Sequence, residues 1–187
     1  MVGIAVVLTG ILTVYTRNSE KQIVFMKEQS LLVSSLLRAK AFAIETFQTG
    51  LNPGLQPSGE RICGWGVHFE RNRGPNNPDR YIIFKHLAPG ANTSCPPISR
   101  YTANQGEEFE ILELDSRLEI SCLAFDNQCT SGNQNSAGVV FIPPDPITKF
   151  YNPQGQAANN ELFIVLKLKG VPRETVVKVN KFGQITF

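Results

Sequence analysis

The chain has 187 residues, of which 42% are hydrophobic and 18% charged, with a formal net charge of +2. That balance describes one globular domain with an appendage, and the charge is too mild to argue for a nucleic-acid partner by itself. Four cysteines with no C-x-x-C spacing, and only two histidines, argue against a zinc site.

The appendage comes first. "MVGIAVVLTGILTVYT" (1–16) holds no charged residue and is followed at once by Arg17, Asn18, Ser19, Glu20 and Lys21. A secretory signal would begin with basic residues and end in a small-residue cleavage site, and neither is present. A complete membrane span needs about 20 apolar residues for roughly 30 Å of hydrocarbon, and this run reaches only about 24 Å. As a core helix it would lack a polar face, since Ile4, Val6, Val7, Leu8, Ile11, Leu12 and Val14 surround it. The expectation is a membrane span whose beginning is missing, with Ile4, Val7, Leu8, Ile11, Leu12 and Val14 as its lipid- or core-facing residues.

Helical periodicity continues over 17–49 with a polar face. Met26, Val33, Leu37, Ala41, Ile44 and Phe47 form the stripe, widened by Leu32, Leu36, Ala39 and Ala43. Lys21, Lys27, Glu28, Arg38, Lys40 and Glu45 lie between them, where such a helix meets water. Thr49-Gly50-Leu51-Asn52-Pro53-Gly54 ends it. The reading is one long helix, with residues 1–16 as its apolar half and 17–49 as its amphipathic half.

Residues 55–187 read as strands and turns. "ICGWGVHFE" (62–70) alternates, placing Cys63, Trp65, Val67 and Phe69 on one face and His68 on the other, toward water. "RYIIFKHL" (80–87) follows a Gly/Pro/Asn-rich connection. "EFEILEL" (108–114) and "RLEISCLAF" (117–125), separated by Asp115-Ser116, read as a tight hairpin. "AGVVFIPP" (137–144), "ELFIVLKLK" (161–169) and two short strands around Asn180-Lys181-Phe182-Gly183 complete about eight strands. The expected fold class is α+β, a long N-terminal helix packed on an antiparallel β-sheet domain.

Cys63, Cys95, Cys122 and Cys129 all follow the apolar segment, which favours a pair of disulfides outside a membrane over buried free thiols. A short local bridge between Cys122 and Cys129, leaving Cys63 for Cys95, is the simplest pairing. Four cysteines allow three pairings, and the other two stay open.

In its helix, and in "GWGVHFE" (64–70), "YIIFKHL" (81–87), "VVFIPPDP" (139–146) and "VVKVNKFGQITF" (176–187) taken in order, the chain resembles type IV pilins and type II secretion pseudopilins. It is most similar to H-type minor pseudopilins and FimT-like minor pilins, over nearly its whole length. The family's basic leader, its Gly-Phe or Gly-Met cleavage junction and the following glutamate have no counterpart here. The reading is a truncated start, with no residue to which prepilin processing or methylation can be assigned. The resemblance implies a structural subunit of a pilus-like filament, anchored in the cytoplasmic membrane before assembly with its globular domain outside. Its implied partners are other pilin subunits, an assembly platform and an ATPase. Loops 71–79, 88–106 and 126–136 would then face neighbouring subunits.

No enzyme is expected. His86 lacks a serine or cysteine spaced for a triad. Glu107, Glu108, Glu110, Glu113 and Asp115 cluster at one hairpin, but their alternation with Phe109 and Ile111 reads as a solvated strand face. No phosphate-cradling glycine loop is present. "DNQCTSGNQNSAG" (126–138) holds one carboxylate, Asp126, too little charge for calcium. No metal or cofactor is therefore expected. The alternative function is a DNA-binding minor pilin for natural transformation, carried by Lys167, Lys169, Arg173, Lys178 and Lys181 against Glu174. Those cations read equally well as the solvated face of edge strands.

Overall fold

A computed structural model describes residues 2–48, 61–71, 74, 77–88, 95, 101, 107–126, 129, 134–143, 147–155, 157–158 and 160–187, with side chains described in α1 over 19–46. The helix α1 (Val2–Gln48) precedes ten strands. These are β1 (Arg61–Glu70), β2 (Arg80–Ala88), β3 (Glu108–Glu113), β4 (Leu118–Phe125), β5 (Ser136–Ile142), β6 (Ile147–Tyr151), β7 (Ala157–Ala158), β8 (Glu161–Leu168), β9 (Glu174–Asn180) and β10 (Ile185–Thr186).

The strands form two antiparallel sheets, a six-stranded one in the order β3-β2-β1-β5-β6-β7 and a four-stranded one in the order β10-β9-β8-β4. This corrects the expected single domain of about eight short strands under a helix that is half apolar and half amphipathic. The described packing of α1 comes from the short stretch 19–46 alone, and strands β6 and β7 were not expected. The residues assigned to an apolar half lie outside the described side chains.

The supposed hairpin at Asp115-Ser116 is a crossing between sheets. β3 pairs with β2, while β4 pairs with β8. Asp79 holds both sides of the crossing, its carbonyl accepting from the Leu114 amide and its carboxylate from the Ile120 amide at 2.6 Å. Asp115 accepts a two-pronged bond from the Arg117 guanidinium at 2.8 Å, and its carbonyl accepts from the Leu118 amide, so the chain turns without zipping. Two other turns do join paired strands. β8 and β9 pair across Gly170-Val171-Pro172 with Lys167 opposite Glu174, and β9 and β10 pair around Gly183, whose φ of 69° suits glycine.

One core lies between the helix and the two sheets. Phe25, Leu32, Leu36, Ala39 and Ala43 of α1 meet Val67, Phe69, Tyr81 and Ile83 of the large sheet, and Ile120, Leu123, Leu162, Ile164 and Leu166 of the small one. Each of the larger aliphatic and Phe side chains contributes about 1.5–3 kcal/mol by leaving water, and each alanine less. Polar contacts fix the helix over this core. Trp65 Nε1 donates to Thr46 Oγ1 at 3.0 Å, and Lys40 Nζ donates to the Gly183 carbonyl at 3.0 Å. Arg38 pairs with Glu110 at 2.8 Å.

The phase of the helix differs from the sequence expectation. The residues assigned a widening role, Leu32, Leu36, Ala39 and Ala43, are the buried ones, whereas Met26, Leu37 and Ala41 of the main stripe point outward. Glu28, expected in water, is buried, and burial raises its pKa; the neighbouring Lys27 charge, and then a hydrogen bond from the Asp115 amide, partly offset this. Apolar residues on both faces of α1 make its period ambiguous, and only the position of the sheets decides which face turns in.

Candidate functional site

The large sheet buries a second apolar layer on the face away from α1, made by Ile82, Phe84, Tyr101, Val140 and Tyr151. Cross-strand register builds it. Gly66 stands opposite Phe84 and Gly138 opposite Tyr151, so each ring has a bare stretch of backbone beside it. A Cβ at Gly138 would lie 2.0 Å from the Tyr151 ring, and one at Gly66 would lie 2.7 Å from Phe84. His68 is also opposite Gly138, on the β1 side. Tyr151 thus reaches across the glycine to His68.

His68 is therefore buried, not turned to water as the alternation suggested. Its Nδ1 lies 3.0 Å from the Tyr151 hydroxyl, and its ring stacks parallel to Tyr151 and against Tyr101. The Tyr101 main chain also hydrogen-bonds Tyr151. His68 Nε2 lies 3.6 Å from Glu70 Oε1. Glu70 accepts from Arg80 Nε at 2.7 Å. The His68 ring, and then Arg80, hold the Glu70 carboxyl down to about 2 against the effect of burial. Tyr101 donates to Glu108, and burial followed by that bond raises the Tyr101 pKa. In this Tyr–His–Glu–Arg row the His68 ring is covered by Tyr101 and Tyr151, while Glu70 and Arg80 at its end stay partly exposed. Sequence reasoning missed it because the covering residues, Tyr101 and Tyr151, lie far from His68 in the chain.

The two disulfides are Cys63–Cys95 and Cys122–Cys129. Asp126, the single carboxylate of the loop considered for calcium, accepts from the amides of Asn160 and Glu161. No cluster of His, Cys, Asp or Glu suited to a metal occurs among the described residues.

The five candidate DNA-binding cations are distributed over the small sheet and its β9–β10 turn. Lys167 pairs with Glu174 at 3.7 Å, and Lys169 donates to the Ser116 carbonyl at 2.9 Å. Arg173 lies over the Phe25 ring on the helix side, whereas Lys178 lies over Phe163 on the opposite face of the small sheet. Lys181 lies over Phe182 at the β9–β10 turn.

Among the described residues no helix is long and apolar enough to cross a membrane, which does not fit a single-pass anchor there. The side chains of Ile4, Val7, Leu8, Ile11, Leu12 and Val14, which carried that expectation, lie outside the described ones. On the side opposite its buried face the described helix exposes Ile23, Met26 and Leu37, interspersed with Gln22, Lys27, Ser30 and Ser34. No known family model, no curated protein and no solved structure matches the chain.

Proposed function

We propose that the protein is a structural subunit of an extracytoplasmic, pilus-like filament, in the manner of minor pilins and pseudopilins. One observation carries the reading. Between Ser19 and Thr46 the helix buries one apolar face against its own sheets and still exposes Ile23, Met26 and Leu37 on the other. An outward helix in a finished monomer is normally polar on that side. Large apolar side chains left on that side, among polar ones, are what neighbouring helices would cover in an assembly. The two disulfides support folding in an oxidising compartment. The apolar residues 1–16 support a membrane stage before assembly, in which lipid contacts are exchanged for helix contacts at little cost.

The test uses the full chain, purified in detergent and then freed of it. Sedimentation together with electron microscopy should show elongated particles or incorporation into filaments of partner pilins. A full chain that stays monomeric and soluble without detergent, and enters no filament, would end this reading.

A further inference from the structure

We draw no further inference here: the strongest candidate, the surface patch of the β9–β10 hairpin where Phe182 and Phe187 stand exposed among Lys178 and Lys181, is an unpartnered apolar face, and nothing in the structure shows what covers it.

Discussion

Replacing Gly138 by alanine tests the arrangement of the outer face of the large sheet. The new Cβ would lie 2.0 Å from Tyr151 Cζ and 2.2 Å from its hydroxyl oxygen. β5 cannot yield, because Gly138 is paired with His68 on one side and Tyr151 on the other. The ring must therefore move out of a fully buried position. Overpacking of this kind costs about 1–3 kcal/mol. Loss of the Tyr151–His68 hydrogen bond leaves buried polar atoms unpaired, for about 1–3 kcal/mol more. Alanine recovers about 0.5–1 kcal/mol through the lower entropy of the unfolded chain. The net loss is about 1–5 kcal/mol, which lowers Tm by roughly 3–15 °C in a protein of this size. Calorimetry or circular dichroism at neutral pH with the disulfides intact measures it. In a Tyr151→Ala background the same glycine change should cost almost nothing, since the clash and the bond are both gone. A fall in Tm under about 3 °C, or an equal loss in both backgrounds, would refute the reasoning.

Acid stability should depend on Glu70 and Glu28 in opposite directions. The Glu70 carboxyl is lowered from 4.5 to about 2, so its contribution is present above its unfolded value and is lost as pH falls through that interval. Glu28 is raised, so acidification first relieves its buried charge; Glu28→Gln should stabilise the protein at neutral pH, and Glu70→Gln should flatten the fall in Tm below about pH 4. Unfolding titrations across pH 2–8 would contradict this if Glu70→Gln left the acid limb unchanged. Among the disulfides, Cys63–Cys95 closes a separation of 32 residues and Cys122–Cys129 one of 7. By loop entropy, serine pairs should cost about 3–4 kcal/mol at the first and about 2–3 at the second, and a reversed order in denaturant melts would show that chain entropy is not the main term.

Several parts of this architecture could be read locally. The β8–β9 and β9–β10 turns are set by Gly170-Val171-Pro172 and Gly183, residues whose backbone preferences act over a few positions. The short cysteine spacing likewise favoured the Cys122–Cys129 bridge. Long-range features were hidden. Asp115-Ser116 has turn chemistry, but whether the flanking strands pair depends on Asp79, which lies 41 positions from Ile120. Strand β6 is five residues long, with alternation in only Thr148 and Phe150 before Tyr151, too brief a pattern to stand out. His68 looks solvated until Tyr101 and Tyr151 cover it. The helix shows the same limit most plainly. Met26 and Leu37 have the period of a core face because apolar residues occur on both sides of α1, and only the sheets packed on it decide which side turns in.

That outward face gives the most direct measurement. Met26 is 56% exposed and is one of only two methionines, so its oxidation reports on the stripe it shares with Ile23 and Leu37. Hydroxyl-radical footprinting of the full chain, comparing detergent-dispersed monomer with sedimented assembly, should show rapid oxidation of Met26 in the monomer. In the assembly its oxidation should slow about tenfold, as expected for a side chain moved from solvent into a packed helix interface. Equal oxidation of Met26 in both states would contradict the account, because the face that motivates it would then remain in water.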